Sequence, residues 1–154
     1  MTSTQVSTQY TTGHIGLNVS DLGRSKRFYQ DVFGFDLAGE SNDKGRAFAF
    51  LTQNKVLVLT LWQQSDGSFA KDKPGLHHLA FQVNSIEQVK EAEQRLRELG
   101  VVIHYDGVTA HADGAESGGV FFDDPDGIRL EICAPTGANQ SPAPKSGAPA
   151  CGFF

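Results

Sequence analysis

The sequence predicts an α+β fold built from two tandem copies of one strand–helix–strand unit. Three observations lead there. A short pattern occurs twice, once as Gly13-His14-Ile15-Gly16-Leu17-Asn18-Val19-Ser20-Asp21-Leu22 and again as His77-His78-Leu79-Ala80-Phe81-Gln82-Val83-Asn84-Ser85-Ile86. Each copy leads into apolar residues at helical spacing that stop at a glycine, Gly34 and Gly100, and each then ends in strand-like runs. The length, 154 residues, holds one domain or two small fused modules.

In the first copy, Ile15 to Val19 alternates as a strand does. Ser20 or Asp21 can cap the following helix, whose apolar positions Leu22, Phe28, Tyr29, Val32 and Phe33 fall on one face. Ala47 to Leu51 and Lys55 to Trp62 read as strands joined by a turn at Thr52-Gln53-Asn54. In the second copy, Leu79 to Val83 is a strand, and Ser85 with Gln88 resembles a capping box. Ile86, Val89, Leu96 and Leu99 give the helix its apolar stripe. Val101 to Tyr105 is a strand, and Asp106 to Gly119 reads as a long loop. Val120 to Phe122 and Ile128 to Cys133 close a hairpin around Asp124-Pro125-Asp126-Gly127, a strong turn sequence.

These boundaries give a flexible arm over 1–12, a first module over 13–64 and a second over 74–135, the stretch 13–135 forming one domain. The tail over 136–154 is rich in Pro, Ala and Gly, which predicts a flexible segment. It carries two aromatics at its end, Phe153 and Phe154, which could anchor it in a groove.

Composition excludes several classes of function. The net charge is -5 and no Lys/Arg cluster offsets it, which argues against a nucleic-acid partner. No apolar run is long enough to span a membrane, and Met1 to Thr12 lacks the apolar core of a secretory signal. Cys133 and Cys151 are the only cysteines, too few for a disulfide framework although one bond between them is possible. The expectation is a cytoplasmic protein with a small-molecule substrate.

The chemistry should lie where the repeats match. His14 and His78 occupy equivalent positions, so they can meet across the pseudo-twofold axis relating the copies. Glu131 interrupts an apolar strand of Ile128, Leu130 and Ile132, a costly place for a carboxylate unless it is paired or binds metal. Two histidines and one carboxylate leave coordination positions open for substrate. Such a set points first to Fe(II), with Mn, Ni, Co and Zn as alternatives.

Aligning the terminal hairpins by their turns sets Val58 opposite Glu131 and Phe48 opposite Phe121. Phe48, Trp62, Phe121 and Arg129 are then the expected substrate contacts. His104, Tyr105, His111 and Glu116 lie in or beside the long loop. Of these, His111 is the first candidate for an acid or base, and Tyr105 is a further catalytic candidate. His77 alternates to the opposite face and reads as packing or surface.

The His14 strand, Ser25 to Phe35, Leu76 to Phe81 and Asp123 to Glu131 together resemble the vicinal oxygen chelate superfamily, over about Thr12 to Pro135. That superfamily includes glyoxalase I, extradiol dioxygenases, fosfomycin-resistance transferases and bleomycin-binding proteins. The resemblance implies an α+β fold of two tandem βαβββ modules forming a curved mixed sheet around a metal-containing cavity, with the metal held at the sheet strands, and association as a homodimer. It says less about the reaction, because one fold hosts many.

Differences between the branches narrow the choice. Glyoxalase I has a fourth ligand, Glu or Gln, where this chain has Val58. Extradiol dioxygenases use the triad that His14, His78 and Glu131 reproduce. Their usual tyrosine falls at Phe121, and their histidine just outside the metal has no match near Trp62 or Gln63, so His111 or Tyr105 would have to substitute. The fosfomycin-resistance threonine falls at Gly16, and the bleomycin-binding members lack the ligands altogether. The expectation is a metal-dependent enzyme most like an extradiol dioxygenase, acting on a vicinal diol or enediol. A glyoxalase-type lyase or isomerase and a small-molecule or antibiotic binder are the alternatives.

Overall fold

A computed structural model describes residues 7–154. The part of the predicted N-terminal arm before residue 7 lies outside the described residues. The element order is β1 (Ile15–Val19), α1 (Leu22–Phe33), β2 (Asp36–Ser41), β3 (Phe48–Gln53) and β4 (Val56–Gln63). The second module repeats it with β5 (Leu79–Gln82), α2 (Ile86–Glu98), β6 (Ile103–Ala110), β7 (Gly118–Asp123) and β8 (Arg129–Ala134). Each module makes a four-stranded mixed sheet, in the orders β1-β4-β3-β2 and β5-β8-β7-β6. The first strand of each runs parallel to the last, and the remaining pairs are antiparallel.

Local chemistry explains the helices. Asp21 caps α1 by accepting a hydrogen bond from the Arg24 N–H at 2.9 Å. Gly34 ends it in the left-handed region, with φ of 71°, and its N–H closes on the Gln30 carbonyl. Ser85 caps α2 by accepting from the Gln88 N–H. The Gln88 side chain reaches back to the Asn84 N–H, one residue before the position a capping box uses. Arg95 and Arg97 in the last turn of α2 oppose the negative end of its dipole.

Both sheets bury one face in a shared core. Sheet one contributes Leu17, Val19, Ala49, Leu51, Leu59 and Leu61, and sheet two contributes Val120, Phe122, Leu130 and Ile132. The helices of the two modules touch each other. From α1, the Phe28 and Phe33 rings lie 6.3 Å from the Phe122 ring of the second module. The hydroxyl of Tyr29 donates to the Asp124 carboxylate at 2.9 Å, also across the modules. Full burial of a large apolar side chain is worth about 1.5–3 kcal/mol. Tyr29 and Phe122 are fully buried and Phe28 and Phe33 half-buried, so Tyr29 and Phe122 carry the larger share at the joint. Burial raises the Tyr29 pKa well above its ordinary value, and burial also raises Asp124.

This packing decides where the histidine-bearing faces point. In sheet one the opposite face, with Gly16, Asn18 and Trp62, is exposed. In sheet two the opposite face carries Glu131 and Phe121, and both are buried.

Three readings from the sequence change. Both ends of the predicted loop over Asp106 to Gly119 are strand, because β6 continues to Ala110 and β7 begins at Gly118. Tyr105 and Asp106 adopt positive φ and the ladder slips between His104 and Thr109, which disguises the strand. The hairpin turn of the first module is Asn54-Lys55, both left-handed. Finally, Cys133 and Cys151 are free thiols. Burial raises both, Cys133 to about 11.

Candidate metal and substrate site

Glu131 sits in β8 with Leu130 and Ile132 on either side, and it is 2% exposed. Gly119 of β7 makes room for it. A Cβ on Gly119 would stand 2.9 Å from Glu131 Oε1 and 2.7 Å from the Ile132 carbonyl oxygen, too close for any side chain. The carboxylate meets two imidazoles. His111 Nε2 lies 2.5 Å from Oε1, and His78 Nε2 lies 3.5 Å from Oε2.

Hydrogen-bond chemistry fixes the rings. With the carboxylate oxygen accepting, His111 donates through Nε2. Its Nδ1 lies 2.8 Å from the Ser117 hydroxyl oxygen. His78 Nδ1 lies 2.8 Å from His77 Nδ1, so one of the two donates to the other. If His78 is the donor, its Nε2 lone pair faces the carboxylate. Burial lowers the His78 pKa from 6.5, an effect that Glu131 partly offsets. His78 is therefore held toward the neutral, metal-binding form.

That donor chemistry suits a divalent metal. An imidazole nitrogen and a carboxylate oxygen lie too far apart for a good hydrogen bond, yet within reach of one small cation. Within a single chain, however, the set stops there. His14 is exposed just ahead of β1, on the solvent-facing side of sheet one. Among the described residues no three His, Cys, Asp or Glu side chains group as a metal site.

The expected substrate contacts divide in the same way. Phe121 pairs with Glu131 across β7 and β8, and Arg129 precedes it by two residues on the same strand. Phe48 and Trp62 lie on sheet one, with ring centres 5.6 Å apart, and Phe50 joins them. The strand register also corrects the equivalence drawn from the turns. Ala80 pairs with Glu131 and Gly16 pairs with Thr60, so Thr60, not Val58, corresponds to Glu131. Phe50, not Phe48, corresponds to Phe121. The cause is a bulge at Leu51/Thr52 and a shorter turn in the first hairpin. Thr60 is buried and accepts a hydrogen bond from the Trp62 indole at 2.9 Å. Neither Thr60 nor Val58 has a carboxylate.

The remaining candidates separate as follows. His111 reaches Glu131, as described. The Tyr105 ring is 5.6 Å from that of Phe121, and its hydroxyl donates to the Ala150 carbonyl. Burial raises the Tyr105 pKa. Glu116 is exposed, and its main-chain carbonyl accepts from the Ala138 N–H. His104 and the Phe154 ring lie 5.5 Å apart. Sequence reasoning passed over Ser117, Gly119 and the contact of His77 with His78. The adjacent histidines were the one visible signal for that contact.

The tail over 136–154 lies against sheet two. Ala138 and Ala150 are buried, and the Ala150 N–H donates to the His111 carbonyl at 2.8 Å. The Phe154 ring rests 4.7 Å from Phe121 and 5.9 Å from His78.

Comparison with known proteins agrees with this architecture. The profile of the Glyoxalase/Bleomycin resistance protein/Dioxygenase superfamily matches residues 11–132. A trivalent organoarsenical cleaving enzyme from Bacillus sp. (strain MD1) is 30% identical over 119 residues, covering 77% of this chain and 70% of that protein. A catechol-2,3-dioxygenase from Bacillus subtilis is 28% identical over 125 residues, 79% of this chain but only 40% of that longer protein. Among solved structures, the fosfomycin resistance protein FosX from Listeria monocytogenes, complexed with Mn(II) and sulfate, superposes with a TM-score of 0.63 at 25% identity. That match covers 84% of this chain and 95% of FosX. With its duplicated βαβββ units and a profile match spanning both, the chain belongs to the Glyoxalase/Bleomycin resistance protein/Dioxygenase superfamily, the vicinal oxygen chelate group.

Proposed function

We propose that the chain is a metal-dependent enzyme, most like an extradiol dioxygenase, working as a homodimer on a vicinal diol or enediol. His78 and Glu131 of one copy, with His14 of a second copy, would hold the divalent metal, Fe(II) first among the choices. The observation that carries this reading is Glu131: a carboxylate in an apolar sheet, with an imidazole on each oxygen. The exposure of His14 on an open sheet face supports a contribution from a second copy. So does the aromatic group of Phe48, Phe50 and Trp62 on that face, which suits a wall laid over another molecule's sheet two.

When bound, the metal would acidify a chelated hydroxyl and keep positions open for a co-substrate. The protein groups have their own tasks. His111, donating from Nε2 and backed by Ser117, orients Glu131 and can pass a proton at that nitrogen. Phe121, with Phe48 and Trp62 from the second copy, excludes water and packs on a substrate ring. Arg129 neutralises substrate charge. The missing carboxylate at Thr60 argues against the glyoxalase alternative.

The test is anaerobic loading with Fe(II), then a panel of catechols and enediols followed by oxygen electrode. Oxygen uptake that needs both Fe(II) and a diol is expected. Metal-loaded protein that consumes no oxygen with any diol, or that turns over with Mn(II) and no oxygen, would overturn the oxygenase reading.

A further inference from the structure

One aromatic at the tail end turns inward and its neighbour does not. Phe153 is 59% exposed, whereas Phe154 is half-buried beside the Glu131 group. The Phe154 ring sits in a nest of three rings: Phe121 at 4.7 Å, His104 at 5.5 Å and His78 at 5.9 Å, all tilted or edge-on. At the same time Arg129 donates from Nε to the Phe154 main-chain oxygen at 2.8 Å. The segment therefore presents an aromatic ring and, a few bonds away, an oxygen held by a guanidinium.

The hold on the tail is light near its end. Tyr105 donates to the Ala150 carbonyl at 2.9 Å, and Ala150 donates to the His111 carbonyl. Beyond Ala150, the Phe154 ring contacts and the Arg129 bond are the main attachments to the sheet. A guanidinium favours an anionic acceptor over a neutral one, by charge and by its paired donors.

We infer that Cys151–Phe154 is an internal stand-in for ligand, occupying a subsite for an aryl-alkyl carboxylate. Phe121, His104 and His78 receive the ring, and Arg129 receives the carboxylate. The tail competes with an incoming ligand, so apparent affinity falls by the fraction of molecules in which the subsite is open. This rests on reading the Glu131 group as the substrate site. It makes no use of bound metal, so it can fail separately from the metal reading.

The experiment is isothermal titration of the metal-free full-length protein with 3-phenylpropionate. Propionate and 3-phenylpropan-1-ol serve as controls lacking the ring or the charge. Phe154→Ala is expected to bind 3-phenylpropionate at least about tenfold more tightly than the wild type. Phe153→Ala should match the wild type. Adding Arg129→Gln to Phe154→Ala should remove the gain, with thermal melts establishing that each variant is folded. A Phe154→Ala protein that binds no more tightly than Phe153→Ala would overturn the proposal. So would equal binding of 3-phenylpropan-1-ol or propionate.

Discussion

The two modules carry the same design and use it differently. In the first, the face bearing Gly16, Asn18 and Trp62 is open to solvent and its counterpart of Glu131 is Thr60. In the second, the equivalent face holds a buried acid, two histidines on its oxygens and a strapped-down tail. Duplication copied the frame and the leading histidine, but only the second copy carries the acid. In the proposed site, one half would supply most of the chemistry and the other a wall and one exposed imidazole. Both histidine faces point away from the shared core, so a site built from both halves needs a second molecule.

The largest expected effect comes from the acid. Glu131→Gln keeps the size of the side chain and should abolish metal uptake, read by elemental analysis after dialysis against Fe(II) or Mn(II). If that variant retains a full equivalent of metal, the second module is not the metal-bearing half. His111→Gln should leave metal bound but weaken affinity or turnover by about 10–100-fold, the usual cost of losing a partner behind a ligand. An unchanged turnover would reduce His111 to a packing residue.

The joint between the halves gives a smaller effect. Tyr29→Phe removes the hydroxyl that donates to buried Asp124. It should cost about 1–3 kcal/mol in urea unfolding. No loss would mean that this hydrogen bond adds nothing to a joint already held by apolar contact and by other polar bonds, such as Arg24 to Asp126 at 2.8 Å.

The smallest effect is on pH dependence. Burial holds the folded-state pKa of His78 below 6.5, so the unfolded chain takes up that proton first as pH falls. The metal-free protein should therefore lose stability as pH drops from 6.5 to the folded-state value, and no further on this account below it. His78→Gln should flatten that part of the curve. An identical acid limb in the variant would remove His78 as its source.

Local chemistry made much of this legible in the sequence. The strand Ile15–Val19 and the helix ends at Asp21 and Gly34 rest on alternation and capping, which involve neighbours along the chain. Glu131 stood out because a carboxylate between buried apolar residues needs a partner. The Asp36–Ser41 strand escaped notice because it lies at the sheet edge, mostly exposed and without apolar alternation. The rest of β6 was hidden by two left-handed residues, Tyr105 and Asp106, that read as loop. The match of Val58 with Glu131 failed because the hairpins were aligned by their turns, and turn length and a bulge do not survive duplication as strand pairing does. The Phe154 nest depends on contacts between distant residues, which no local pattern encodes.

Mixing two inactive variants tests the central claim most directly. His14→Ala and Glu131→Gln proteins are each prepared metal-free, unfolded together in equal amounts, refolded and loaded with metal. If each site takes His14 from one copy and Glu131 from the other, half the dimers are mixed and each has one intact site. Bound metal and activity should then return to about a quarter of the wild-type level. If all ligands came from one chain, every site in the mixture would lack one of them, and the refolded mixture would stay as empty and inactive as either variant alone.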